Sequence, residues 1–378
     1  MKVVHITPNY FDDSSRIGGG ERYPTELASW MANVVDTTLV SFSTERESYC
    51  RDNLQVEVYP VKHLIRGNQI NPLSFQYLLS IVRADVIHIH GINTIVSDLG
   101  CLTGSFLRKR VFVTDHGGGG NLVLNHKLPV FKGYRGAITQ SQFTLNRFPP
   151  ELQKKGVLAK GGVNSERFCP DASLSKEKKI LYVGRILPHK GINYLIEGFR
   201  ILNRPDYQLK ILGRVYSEQF YQDLKEMAMG LPVEFIDNAD DQRLLHEYRT
   251  AKATVLPSVH TNCYGKYTPV PELMGFTLLE SQACGTPVIC TDAGAMHEFV
   301  DHGRTGFVVK QNSGEAIAAA LNSLISLFQS EYAQFQANCR EWIQPLSWST
   351  IVQRHLELYQ GKSIDGTIHS PFIVRKEW

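Results

Sequence analysis

The feature that most constrains this chain is a rhythm. Short, nearly unbroken apolar runs alternate with amphipathic stretches, the alternation breaks once, and then it resumes. In the first half the runs predict strands at Lys2–Ile6, Thr37–Ser41, Val86–His90, Arg110–Thr114 and Ala137–Thr139. A helix over Glu21–Ala32 puts Leu27, Trp30 and Met31 on one side. Apolar strands separated by helices make a parallel sheet covered on both faces. From about 150 to 180 turn formers and charges dominate, as in GGVNSERFCPDASLSKEKK, and a domain boundary belongs there. Beyond it come strands at Lys179–Val183, Gln208–Leu212, Val233–Ile236, Ala253–Leu256 and Pro287–Cys290. Helices are expected over Ile192–Leu202, Glu218–Met229, Asp241–Arg249 and Thr277–Ala283. Helical patterns at Gly314–Leu327, Tyr332–Trp342 and Ser347–Gln360 close the chain, the last with a serine cap.

A length of 378 residues exceeds what one core usually organises. The fold class is therefore α/β, with two Rossmann-like, doubly wound parallel-sheet domains. The first spans 1–165, the second 166–345, and a C-terminal helix and tail occupy 346–378. Such sheets bind ligands beyond the carboxyl ends of their strands, so the expected site is a cleft between the two domains.

Composition removes several classes of function. The net charge of +3 gives no reason to expect a nucleic-acid partner. No apolar run approaches the ~18 residues that cross a bilayer. The start, MKVVHITPNYFDDSS, reads as a strand rather than a secretory signal. Seven scattered cysteines without a C-x-x-C pair argue against a disulfide framework or zinc site, and suit small buried hydrophobes in a reducing cytoplasm.

Three segments carry chemistry. Gly18-Gly19-Gly20-Glu21-Arg22 follows the first strand and opens a helix. Gly19 and Gly20 let a ligand approach the backbone, and the helix start favours an anion; a flexible loop explains the same residues. The dinucleotide fingerprint G-x-G-x-x-G is absent. Gly184-Arg185-Ile186-Leu187-Pro188-His189-Lys190-Gly191 sets two cations at a helix start after a first strand. Arg185 can fork two phosphate oxygens and Lys190 adds a point charge; a solvated surface pair is the bland alternative. In PELMGFTLLESQACGTPVICT, Glu272 and Glu280 stand eight positions apart, with Gly275, Phe276, Thr277 and Leu278 opening a helix between them. Its first amides point at any occupant of the cleft. Two carboxylates can also be a hydrolase pair, or simply caps. The nearby cations suit a phosphate leaving group instead.

E-x7-E with G-F-x-x-x-E, followed by A-C-G-T-P-V-I, resembles the signature of the family 4 retaining glycosyltransferases, which adopt the two-domain GT-B fold. GGGER, GRILPHKG, VLPS, GGVNSERF and SWSTIVQRHLELY resemble that family at matching places. The resemblance implies that Arg185 and Lys190 hold a donor diphosphate, Glu272 contacts the transferred sugar and Glu280 holds the ribose. It implies backbone contacts from Phe276, Thr277 and Leu278, with Asp237 and Asn238 near the base. His116, in Asp115-His116-Gly117, would lie beside the sugar, with Gly19 and Gly20 approaching the diphosphate. The last helix would cross back onto the first domain. Val259–Pro271 is longer than in most relatives, and Phe235-Ile236-Asp237 lacks their usual glycine. His88 reads as structural and His90 as a weaker cleft candidate.

The implied function is retaining transfer of a hexosyl group from a nucleotide diphosphate sugar, UDP-glucose by analogy. The acceptor is a saccharide or lipid-linked saccharide, as in polysaccharide biosynthesis. No cofactor and no metal are expected, since no Asp-x-Asp motif occupies a suitable loop. The expected location is cytoplasmic, with room for peripheral association at the inner membrane face. A sugar-nucleotide epimerase and a non-catalytic nucleotide-sugar binder are the rival readings, and a nicotinamide oxidoreductase lacks its fingerprint.

Overall fold

The computed structural model describes residues 1–10, 19–116, 124–237 and 239–362. It divides into two compact units. One joins Met1–Gly162 to Trp348–Trp378, and the other is Val163–Ser347. The last helix, Trp348–Tyr359, thus belongs with the first unit.

Among the described residues, the main sheet of the first unit has eight strands: β1 (Lys2–Tyr10), β2 (Asp36–Ser43), β3 (Glu47–Arg51), β4 (Leu54–Pro60), β5 (Val86–His90), β6 (Arg110–Thr114), β7 (Gly136–Thr139) and β8 (Gly156–Leu158). Their order across the sheet is β8-β7-β6-β5-β1-β2-β4-β3. Every pairing is parallel except β3 with β4. The β3–β4 hairpin is absent from the sequence reading, although Leu54, Val56 and Val58 alternate as a half-buried strand should. Its turn uses Asp52 at φ 53, a left-handed conformation that aspartate tolerates. The segment 150–180, where the domain boundary is expected, opens with two elements of the first unit. A short helix, Pro150–Gln153, and β8 still belong to the first sheet, and the units part at Gly162.

The second unit holds β9 (Lys179–Val183), β10 (Gln208–Leu212), β11 (Val233–Ile236), β12 (Ala253–Leu256), β13 (Val288–Thr291) and β14 (Gly306–Val309). All pairings are parallel, in the order β11-β10-β9-β12-β13-β14. Counted from its own first strand this is 3-2-1-4-5-6, the Rossmann order. Its direction reverses between β9 and β12. Ile180, Tyr182, Leu209, Ile211 and Val255 fill the sheet's faces against Ile192, Leu195, Ile196, Ile317 and Leu321 from the flanking helices, all nearly inaccessible. Full burial of each such side chain is worth about 1.5–3 kcal/mol.

The cysteine reading needs correction. All seven are free, but Cys50 and Cys263 are exposed rather than buried. No helix among the described residues is long and apolar enough to cross a membrane.

Gly191 stands at the reversal point. It has φ 66 and caps the helix Ile192–Leu202, and a Cβ there would lie 2.0 Å from the Pro257 carbonyl oxygen at the end of β12. Gly191→Ala combines left-handed strain with a backbone clash, so it should destabilise the second unit by about 2 kcal/mol or more. Urea unfolding measures this, and an unshifted midpoint would mean that Pro257 is not held against this turn.

Candidate functional site

The carboxyl ends of β9 and β12 define where a ligand of the second unit should lie. After β9 the chain runs through Gly184 and Arg185 into a tight 3-10 turn, Pro188–Lys190, and then the helix Ile192–Leu202. The Arg185 carbonyl accepts the Tyr182 hydroxyl at 3.0 Å, which fixes the turn. The Arg185 side chain is exposed, its guanidinium 5.5 Å from the Tyr216 ring centroid.

Lys190 is not the solvated cation of the bland reading. Its side chain is only 8% exposed, and its ammonium donates to Glu272 Oε2 at 2.7 Å and to the Pro271 carbonyl at 3.2 Å. Two residues chosen from separate motifs are therefore one ion pair. The backbone of Glu272 is held independently, its carbonyl accepting from the Ala295 amide at 3.1 Å. His189, beside Lys190, is held down to about 4 by burial and then by the Lys190 and Arg185 charges, so its ring is neutral.

Five of the helix starts in this unit fall into two kinds. Ser217, Asp240 and Ser313 cap theirs with side-chain oxygens, which accept from Phe220, Arg243 and Ala316 amides. The helices Ile192–Leu202 and Phe276–Ala283 instead start at left-handed glycines, Gly191 and Gly275, and no side chain caps them. Both begin beside the reversal point, where an uncapped helix start favours an anion. Thr277 is anchored there by its hydroxyl, which donates to the Val183 carbonyl at 3.0 Å. Leu278 is buried, and its amide turns back to the Gly275 carbonyl at 2.9 Å.

Glu280 lies deeper than the sequence suggests. It is 2% exposed and accepts the Tyr248 hydroxyl at 2.9 Å, so a ribose would meet a carboxylate already holding a phenol. Asp237 is exposed just past β11, and Asn238 lies outside the described residues. The long Val259–Pro271 segment contains a small antiparallel bridge, Thr261 to Tyr267. His260 supports it, its backbone carbonyl accepting from the Thr268 amide at 2.7 Å.

In the first unit the structure brings Gly20 and His116 together. A Cβ on Gly20 would sit 3.6 Å from the His116 Cβ. Gly19 opens the helix Gly19–Ala32. His116 is half-buried and its ring stacks near His90, with centroids 5.2 Å apart. His90 is fully packed between His5 and His116, so it is not the open candidate the sequence suggested. His88 is structural, bonded to Tyr359 and Thr114. Sequence reasoning missed His5 and His355, because only the β1–β5 pairing and the last helix carry them to this place. Ring nitrogens of His5, His88 and His90 lie within 4.8 Å of one another, as metal ligands would. Each of these nitrogens also faces a hydrogen-bond partner.

Comparison with known proteins agrees with this fold. Residues 166–342, most of the second unit, match the family described as glycosyl transferases group 1. An uncharacterised glycosyltransferase of Methanocaldococcus jannaschii is 29% identical over 187 residues, which is 49% of this chain and 45% of that protein. A D-inositol 3-phosphate glycosyltransferase of Rhodococcus erythropolis is 27% identical over 210 residues, covering 52% and 45%. The matches thus span about half the length of these curated relatives. Among solved structures, a glycosyltransferase from Rickettsia africae superposes with TM-score 0.72 at 18% identity, covering 95% of this chain and 98% of that one. The Anabaena protein HepE in complex with UDP gives 0.70 at 17% identity, covering 96% and 100%. The fold is GT-B, and most of the second unit is similar to the group 1 glycosyl transferases.

Five imidazoles in the first unit give a measurable pH dependence. Burial is the leading cause of each shift. His5 and His116 are pushed down to about 3 and His355 to about 4, with His88 and His90 well below the usual range. Unfolded, these rings titrate near 6.5, so the unfolded state binds protons the folded state refuses. Stability is complete above about pH 6.5 and falls as pH drops toward the folded values, by up to ~1.4 kcal/mol per unit for each buried ring. Acid titration by circular dichroism should show loss of structure setting in below pH 6. His355→Leu should move the midpoint to lower pH, and an unmoved midpoint would show that this ring is not held neutral by the fold.

Proposed function

We propose that the chain is a retaining glycosyltransferase of the family 4 type, moving a hexosyl group from a nucleotide diphosphate sugar to a saccharide or lipid-linked saccharide. UDP-glucose is the donor to try first. HepE has been solved with UDP and with UDP-glucose, and the curated relatives include D-inositol 3-phosphate glycosyltransferases and a glycogen synthase. The observation that carries the reading is the reversal point of the second sheet. Buried Lys190, exposed Arg185 and two side-chain-uncapped helix starts meet there beside Glu272 and Glu280.

The chemistry follows from where charge develops. As the anomeric bond breaks, the diphosphate gathers negative charge. Arg185, Lys190 and the amides opening Phe276–Ala283 stabilise that charge more in the transition state than in the ground state. An incoming phosphate oxygen takes Lys190 as partner, which frees Glu272 for a sugar hydroxyl. Glu280 holds the ribose, Asp237 and Asn238 lie toward the base, and Gly19, Gly20 and His116 take the roles the resemblance gives them. The acceptor hydroxyl attacks from the face the diphosphate leaves, and a phosphate oxygen receives its proton. Charge stabilisation comes from the chain's own cations, so the reading calls on no metal. The site of action is cytoplasmic, with peripheral contact to the membrane where the acceptor is lipid-linked.

Arg185→Gln should lower kcat/KM for UDP-glucose turnover about 100-fold, the loss seen when one stabilising donor is removed. Because Arg185 is exposed, its unfolding midpoint should stay put, and an undiminished rate would remove the diphosphate role. Glu280→Gln should weaken UDP binding in titration calorimetry by roughly tenfold. Equal affinity would assign Glu280 to packing against Tyr248 alone.

A further inference from the structure

Three imidazoles of the first unit form a chain with a direction. The Met31 sulfur lies 3.3 Å from His5 Nε2, and His5 Nδ1 lies 2.9 Å from His90 Nε2. His90 Nδ1 lies 3.0 Å from His116 Nε2, and His116 Nδ1 lies 3.3 Å from Gln140 Nε2. The rings are nearly parallel, at 20° and 18°, so the contacts run edge to edge along one line. A neutral imidazole has one N–H and one lone pair, so each ring must donate once and accept once.

The Met31 end of the chain decides which way it points. A thioether can accept but never donate, so His5 carries its proton on Nε2. His5 Nδ1 is then a lone pair and accepts from His90 Nε2–H. His90 Nδ1 accepts in turn from His116 Nε2–H. At the far end the Gln140 amide donates to His116 Nδ1. Gln140 also bonds to the Tyr23 hydroxyl, and its Oε1 is buried without a partner among the described residues. The Met31 end sets the polarity, and the Gln140 amide, which can present either its NH2 or its oxygen, meets it with the NH2. The opposite polarity would press the His5 lone pair against sulfur.

We propose that His90 is a positioning residue for His116, anchored by His5 and Met31, and that it locks His116 as the neutral Nε2–H tautomer. The only N–H of His116 points into the unit. What the ring can offer a ligand is a lone pair at Nδ1, shared with the Gln140 amide, for a donor-sugar hydroxyl. His116 is thereby a hydrogen-bond acceptor and not a proton donor in transfer. The sugar contact rests on the function proposed above, whereas the tautomer does not. Among the described residues, titratable groups packed against the chain include Tyr23 beside His116 and His88 beside His5 and His90, with His355 and Tyr359 against His88 in turn, and Asp115 precedes His116.

The test has two arms on the full-length protein. Long-range proton–nitrogen correlation spectra of 15N-histidine-labelled protein should show His5, His90 and His116 as Nε2–H tautomers, unchanged from pH 8 to 6. A His116 that is Nδ1–H or cationic at pH 6 overturns the lock. In the second arm, His90→Phe removes the acceptor for His116, whereas His90→Gln keeps one, since its amide oxygen can replace Nδ1 and its NH2 can replace Nε2–H. His90→Phe should mix the His116 tautomers and lower kcat on UDP-glucose by roughly five- to tenfold, one hydrogen bond's worth. His90→Gln should restore the tautomer and most of the rate. Equal losses in both variants, with the His116 tautomer unmoved, would reduce His90 to a packing role. Wild-type protein inert toward UDP-glucose would count against the donor assignment, and the spectra would still decide the lock.

Discussion

Two opposite charges share a nearly dry pocket at the middle of the second sheet, and much of the site's local geometry follows from that constraint. The Lys190 side chain is 8% exposed and Glu272 21%. Removing such charges from water costs several kcal/mol per ion, and their attraction roughly repays it only when the geometry is good. Here the geometry is fixed from several directions. Lys190 ends a tight turn whose next residue, Gly191, touches the backbone after β12. Glu272 is gripped through its carbonyl by the chain after β13. The pair thus joins the ends of β9, β12 and β13 at the point where strand order reverses. A hydrophobic pair of the same volume would stabilise this junction as well or better, so stability does not account for the ions. A site built to receive an anion, as the proposed function requires, would.

The two units answer the same architectural problem with different chemistry. Each has a parallel sheet whose strand order turns beside its first strand, and each gathers polar side chains around that strand. In the second unit they are the side chains of an ion pair, Lys190 and Glu272, with Arg185 nearby in sequence. In the first they are imidazoles that burial keeps neutral. Uncharged rings can pack edge to edge and fix one another's tautomers, which charged groups at such spacing cannot do. The first arrangement suits orientation of hydroxyls, and the second suits compensation of a multiply charged group.

How much of this could be read from the sequence depends on how local the cause is. The five strands expected in the second unit survive with small shifts, because unbroken apolar runs such as Lys179–Val183 state their own period. Arg185, Lys190, Gly275 and Glu272 stand out in the sequence because their motifs sit beside those strands. The β3–β4 hairpin was missed although Leu54, Val56 and Val58 alternate. Its strand β3 is exposed at all five positions, so half of the hairpin carries no apolar signal. The depth of Glu280 was also hidden. Helical spacing places it below Phe276 on its own helix, but only the neighbouring helix, with Tyr248, closes over it.

The histidine chain marks where local reading stops. His88 and His90 were noticed as a pair on one strand, and alternation in a strand puts them on the same face. Nothing nearby says what that face meets. Parallel pairing in register sets His5 of β1 opposite His88 of β5, while the last helix returns His355 to the same layer from the far end of the chain. His116 joins because β6 pairs with β5 and ends one residue short of Asp115. Each of these residues alone reads as a buried or loop histidine. Their function as a set is a property of strand order, and strand order is what a single sequence specifies least directly.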